Sequence, residues 1–211
     1  MPASTDASPE TRTQRRAAAN RQSVIDAARE IVATQGSDAL TLEAVAERAD
    51  VVVATIYNRV GNRAALLLAV AEEAREESRA YMDAAYASDG TPVERLRLAA
   101  AAWIRFARER PHEFRILVEP ADEPEAVERL AVLNREQNAK LAAAIRDGVE
   151  AGTVRADIDP DHAATALWAS LNGVLALAWR PGAMHADAEE MDHLLETFIA
   201  IAEAGLLSKA V

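Results

Sequence analysis

The run Thr41–Tyr57, T-L-E-A-V-A-E-R-A-D-V-V-V-A-T-I-Y, with Asn58 and Arg59 after it, holds the side chains best suited to chemistry in this chain. Asn58 and Arg59 carry donors and acceptors that match base edges in a DNA groove. Thr55 and Tyr57 suit phosphate oxygens or a thymine methyl. Val52 and Val53 offer apolar contact only. Catalytic equipment is missing by comparison. The chain has no cysteine, so a thiol nucleophile and cysteine zinc sites are excluded. It has no nucleophile elbow and no phosphate-binding glycine loop. His112, His162, His185 and His193 have no i, i+3 or i, i+4 partner among themselves. His185 with Asp187 and Glu189 comes nearest to a metal set and reads better as a solvated loop. The reading is a binding protein, not an enzyme, with no cofactor and no metal.

A groove-reading face has to be carried by a short helix braced against a second one. Leu42, Val45 and Ala46 on a helix ending near Ala49 can pack against Val51, Ile56 and a preceding helix. A second helix, from about Val53 to Arg59, then projects Val52, Val53, Thr55, Asn58 and Arg59 outward. An α-helix fits the major groove; the same spacing also suits an ordinary helical hairpin within a core. Upstream, Val24, Ile25, Ala28, Ile31 and Val32 follow i, i+3, i+4, i+7 spacing, which predicts a helix from Asn20 to Thr34, closed by Gly36. Thr41 caps the next helix with half a capping box, because Ala44 stands where Glu or Gln would. Residues 1–11 are rich in Ser, Thr, Pro and Ala and read as a disordered tail.

Helical periodicity continues to the C-terminus. A long helix is predicted from Arg63 to about Ala87, another from Pro92 to Arg110 and a short one over Pro111–Val118. Helices then span Glu125–Ala151, Pro160 to near Arg180 behind an Asp159 cap, and about Asp187 to Leu206. No convincing alternating strand is present, so the fold class is all-α with about nine helices. Ala163–Trp179 is an uncharged run of 17 residues, short for a bilayer and interrupted by Ser170, Asn172 and Gly173; a doubly buried helix explains it better.

The net charge is −11, but it is unevenly placed. Residues 11–71 hold eight arginines against six acids, whereas residues 72–211 hold fifteen basic and twenty-six acidic side chains. Thr11–Ile25 carries Arg12, Arg15, Arg16 and Arg21 and no acid. A weakly basic front module on an acidic body points to a local anionic target, with a disordered arginine-bearing tail as the plainer alternative. The N-terminus is polar with no apolar run behind it, so no signal peptide is expected and the expected location is cytoplasmic.

The stretch from Arg21 to about Val70 resembles the DNA-binding domain of the tetracycline-repressor-like (TetR) family of bacterial transcription regulators. The resemblance rests on R-Q-S-V-I-D-A-A-R-E-I-V-A-T-Q-G, then T-L-E-A-V-A-E-R-A-D-V, then A-T-I-Y-N-R-V-G-N-R-A-A-L-L, in order and without a gap. It implies a recognition helix over Val53–Arg59, phosphate contacts from Thr41 and Tyr57, and Arg63 in the usual lysine position, where a cation beside a helix N-terminus still suits a phosphate. Asp50 stands where the family usually has glycine, and aspartate tolerates left-handed geometry. Val52 and Val53 replace residues that are usually polar or basic, which restricts readout there to thymine methyl groups. With Arg21 these residues make the expected DNA-binding set: Arg21, Thr41, Val52, Val53, Thr55, Tyr57, Asn58, Arg59 and Arg63.

More loosely, Trp103-Ile-Arg-Phe106 through Phe114-Arg-Ile-Leu117 is similar to a W-x-x-F-A-x-x-x-P-x-x-F run in regulators of the so-called WHG type, with Trp168 to Gly173 near that type's tryptophan-histidine-glycine. That resemblance implies a ligand cavity among these helices and a dimer interface from the last two. From the residues themselves, Trp103, Phe106, Phe114, Leu117, Trp168, Leu171 and Leu175 can line an apolar pocket with Asn172 as its orienting polar group. Aromatics at helical spacing are equally core, and a buried Asn172 amide is equally a helix–helix hydrogen bond. Ala163, Ala166, Ala169, Ser170 and Gly173 permit close helix approach, and Leu194, Leu195, Phe198, Ile201 and Ala202 form a stripe that packs against them in a homodimer or within one chain.

The expected organisation is a tail over residues 1–11, a helix-turn-helix DNA-binding domain over 12–66 and a ligand-binding and dimerisation domain over 67–211. The expected function is a repressor, released from a palindromic operator in double-stranded DNA by a small, largely apolar effector. The partners would be that DNA, the effector and a second copy of the chain, with no membrane. The alternative is a small-molecule-binding helical dimer or scaffold with degenerate DNA binding.

Overall fold

A computed structural model describes residues 11–119 and 124–208. Among them the chain forms nine α-helices and divides at Val70/Ala71 into two units. The expected tail, Thr11 apart, lies outside the described residues.

In the first unit α1 spans Arg12–Gln35, α2 Leu42–Arg48 and α3 Val53–Arg59; α4, Arg63–Tyr86, begins here and continues into the second unit. Helix α1 starts eight residues before the Asn20 expected from periodicity. Its first turns carry no apolar stripe to reveal them, but Thr11 and Gln14 close a capping box: Thr11 Oγ1 accepts from Gln14 N at 3.3 Å and Gln14 Oε1 from Thr11 N at 2.7 Å. Val24, Ile25, Ala28, Ile31 and Val32 are all buried, as their spacing predicts. Gly36 ends α1 at φ 82°, with its N–H on Val32 O at 2.8 Å. Helices α1, α2 and α3 pack on one another around Leu40, Val45 and Ile56, each fully buried. The turn between α2 and α3 places Asp50 at φ 52°, the only non-glycine residue with positive φ among those described. Aspartate therefore fills a left-handed position where glycine is the default, and Val51 N still reaches Ala46 O at 3.0 Å.

The second unit holds the rest of α4 with α5 (Pro92–Glu109), α6 (Pro111–Val118), α7 (Pro124–Glu150), α8 (Pro160–Leu175) and α9 (Ala188–Leu206). Thr91 and Glu94 close a capping box at the start of α5, with Pro92 in its first turn, where a missing N–H costs nothing. Helix α7 packs on α5 and α8, and α8 on α9. Ala142, Ile145, Val154 and Ala164 centre one apolar cluster; Ala85, Ala99 and Ala102 centre another, against Tyr81, Met82 and Tyr86. Helix α8 stops at Leu175 rather than near Arg180: the chain tightens into a 3-10 turn over Ala176–Trp179, which shortens the regular helix without breaking the helical run. Among the described residues no helix is long and apolar enough to cross a membrane.

Candidate functional site

Helix α3 has one fully buried side chain. Ile56 is fully buried, and the helix turns its other faces outward. At 3.6 residues per turn the side opposite Ile56 is centred on Ala54 and Asn58, with Thr55 and Tyr57 on its flanks. Ala54, Asn58 and Arg59 are exposed, and Thr55 and Val53 are half-buried. Val52 and Tyr57 are 68% and 57% exposed, although both are large and hydrophobic. Val52 is the N-cap of α3 rather than a residue within it. Ala54 was missed from sequence; its signal was its position one turn before Asn58. No acid lies on α3, and its one charge is Arg59.

Two side chains frame this helix from the ends of others. Thr41 is exposed and caps α2 by accepting from Ala44 N at 3.1 Å, which leaves the hydroxyl proton to donate. Arg63, at the first position of α4, has a structural task that its sequence position concealed. Its Nε donates to Leu40 O and its Nη2 to Ser37 O, both at 2.8 Å, tying α4 to the turn before α2. A guanidinium carries five N–H bonds, so three remain beyond these two. Arg21 is exposed on α1, while Arg48 on α2 is paired with Glu30.

The second unit contains a cavity of about 690 Å³ walled by α4, α5, α7, α8 and α9. This lies inside the range of about 300–1,000 Å³ usual for small-molecule pockets. Trp103, Trp168 and Leu171 of the expected set line it. Phe106, Phe114, Leu117, Asn172 and Leu175 are not part of its wall; all five are buried. The aromatics pack on one another, with ring centroids 5.6 Å apart for Tyr81–Phe106, 5.8 Å for Trp103–Phe106 and 5.3 Å for Trp103–Phe114. Asn172 accepts from Trp103 Nε1 at 2.8 Å, so of its two readings the structure displays the helix–helix bond, with Nδ2 left unpartnered.

Sequence reading missed Arg75. It lines the cavity, is only 3% exposed, and has its Nε buried without a partner. Its Nη2 donates to Asn134 Oδ1, and its guanidinium lies 5.8 Å from the Trp103 ring centroid. Burial lowers its pKa from the ordinary arginine range to about 10. It stands among acids in the run A-E-E-A-R-E-E-S, a composition that gives no sign of burial. Yet Ala71, Ala74, Arg75 and Ser78, all buried, follow the i, i+3, i+4, i+7 rule of an inward stripe. Among the described residues no group of three or more His, Cys, Asp or Glu could hold a metal ion.

Comparison with known proteins gives two family matches: residues 24–70 match bacterial regulatory proteins of the tetR family, and residues 96–201 match a tetracyclin repressor-like C-terminal domain. The HTH-type transcriptional repressor KstR of Mycolicibacterium smegmatis is 37% identical over 76 residues, 36% of this chain and 37% of that protein; the match thus spans little more than a third of the relative's length. The regulatory protein TetR from Rhodobacter sphaeroides superposes with a TM-score of 0.67 at 22% identity, covering 89% of this chain and 98% of that one. The ketosteroid transcriptional regulator KstR2 of Mycobacterium tuberculosis gives a TM-score of 0.63 at 18% identity, covering 90% and 95%. At such identities the two structures establish a shared fold.

Proposed function

The chain belongs to the tetR family of bacterial regulatory proteins, and from that premise we propose that it is a cytoplasmic, homodimeric transcriptional repressor released from DNA by a small ligand. The family is one of DNA-binding regulators that act as dimers and bind effectors, not of enzymes. The observation that carries the proposal is the outer face of α3: exposed, free of acids and opposite the fully buried Ile56. In this reading Asn58 and Arg59 meet base edges, Val52, Val53 and Ala54 meet thymine methyls, and Thr55, Tyr57, Thr41, Arg63 and Arg21 meet the backbone. The proposed domain limits of 12–66 and 67–211 place this division of labour four residues before the Val70/Ala71 boundary between the two units.

Dimerisation would use α8 and α9. Ala166, Ala169, Ser170 and Gly173 leave an exposed small-residue face on α8, and Ile201 on α9 is 67% exposed. A two-fold dimer reads a palindrome whose half-sites lie one helical turn apart, about 34–36 Å. The effector would occupy the cavity of the second unit, where Trp103, Trp168 and Leu171 make a largely apolar wall. Lowering DNA affinity 100-fold requires about 2.7 kcal/mol of coupling between the two sites.

The test is a gel-shift titration of the full chain on DNA from immediately upstream of its own gene, against random competitor at physiological salt. A discrete complex that resists competitor supports the proposal. Binding no tighter than to random DNA, there and after selection from a random pool, would overturn it. That result would favour the scaffold reading, which the apolar exposure of Val52 motivates.

A further inference from the structure

The cavity wall carries several charges, and all but one have their needs met. Arg97 is bound by both oxygens of Glu203 at 2.6 and 3.1 Å, and Arg108 by Asp192. Glu109 accepts from Tyr81 Oη at 2.7 Å, and Arg105 is exposed, with its guanidinium 4.9 Å from the Tyr81 ring centroid. Arg75 is the exception. It is 3% exposed, it has no carboxylate partner among the described residues, and its Nε–H is satisfied by nothing. A buried cation without a counter-charge is costly, and its cost is relieved by whatever brings the missing negative charge. Gln137 adds to the same wall. It stands one helical turn from Asn134, the residue that receives the Arg75 Nη2–H bond, and its Oε1 is also buried without a partner. Turned over, that amide offers an N–H in place of the orphaned oxygen.

We propose that this cavity takes an amphipathic carboxylic acid, its carboxylate held by Arg75 and Gln137 and its hydrocarbon body laid along Met82, Leu141 and Leu171. The proposal rests on the reading of the cavity as an effector site and deepens it by naming the ligand class. One guanidinium balances one negative charge; a phosphate dianion would leave a second charge uncompensated among apolar side chains. A neutral ligand would leave Arg75 as it is, and a cationic one would make matters worse.

The experiment is a calorimetric titration of the full chain with decanoic acid, decanol, decyl phosphate and decyltrimethylammonium, at a pH above the carboxylate range. The four share one tail and differ in the head. Decanoate should bind about tenfold or more tightly than decanol, since a charge-assisted bond to a buried partner carries at least that much. Decyl phosphate should bind less tightly than decanoate, and the cation least tightly. Arg75→Met should bring the acid-to-alcohol ratio to about one while decanol binding persists, and Arg75→Lys should keep part of the preference. Should Arg75→Met fail to fold, the order of the four ligands on the unaltered chain and the Lys variant still decide. Equal binding of acid and alcohol, or a preference that survives Arg75→Met, overturns the acid assignment and leaves the cavity a ligand site. Decyl phosphate binding more tightly than decanoate overturns the choice of carboxylate. If none of the four binds, both the acid and the cavity as effector site fall, while the gel-shift result stands independently.

Discussion

Replacing Arg63 with methionine separates its two tasks. Methionine keeps an unbranched apolar stem and removes the guanidinium, so both 2.8 Å bonds, to Leu40 O and Ser37 O, are lost. Ser37 O still accepts from Leu40 N at 3.2 Å, whereas no other donor reaches Leu40 O among the described residues. A hydrogen bond from a charged donor contributes about 1.5–3 kcal/mol when well buried. Here the Ser37 bond is exposed and the Leu40 bond only part-buried, so the expected loss is about 1–2 kcal/mol. Urea denaturation followed by far-ultraviolet circular dichroism should show a lower midpoint with an unchanged slope. Arg63→Lys should recover about half of the loss, because an ammonium cannot span two carbonyls as a planar fork does. In the proposed reading the remaining N–H groups of Arg63 meet a phosphate. Measured on operator DNA, the variant should therefore weaken binding across all sequences and reduce the slope of log K against log salt by about 0.9 for each phosphate that Arg63 neutralises. An unchanged midpoint would refute the anchoring role, and an unchanged salt slope would remove Arg63 from the backbone-binding set.

Other substitutions test other parts of the molecule. Asn58→Ala should relax preference at one base pair in each half-site by about 1–3 kcal/mol, read by competition with operators varied one position at a time; equal loss on every sequence would refute a reading role. Gly148→Ala should destabilise by about 1–3 kcal/mol despite alanine's better helix propensity. The added Cβ would stand 2.5 Å from Val154 Cγ2, and a raised melting temperature would show that Val154 yields freely. Trp103→Phe leaves both ends of the buried Asn172 amide unpartnered and should cost about 1–3 kcal/mol. Adding Asn172→Leu should recover most of that loss, and strictly additive losses in the double variant would contradict the coupling.

Much of the first unit was legible in the sequence because its signals are local. The stripe Val24, Ile25, Ala28, Ile31 and Val32 repeats within one helix, Gly36 and Thr41 act within a turn of where they stand, and Asp50 needed only a tolerance for positive φ. The outward face of α3 was legible in part: Val52, Asn58 and Arg59 are exposed as expected, whereas Val53 and Thr55 are half-buried and Ala54 went unnamed. Even here the start of α1 was displaced, since Arg12–Arg21 has no apolar period and only the Thr11–Gln14 box marks it. In the second unit the sequence could name helices but not what each would face. Trp103 and Phe106 lie three residues apart on one helix, yet one lines the cavity and the other is enclosed by rings from α4 and α5. Nothing local announces that Val154 packs against Gly148, or that α5 and α7 close over Arg75. Periodicity and caps are properties of a few consecutive residues, and the sequence by itself determined those. Whether an inward face meets packed core, an empty cavity or an unanswered charge depends on which distant element lies opposite, and only the tertiary structure decided that.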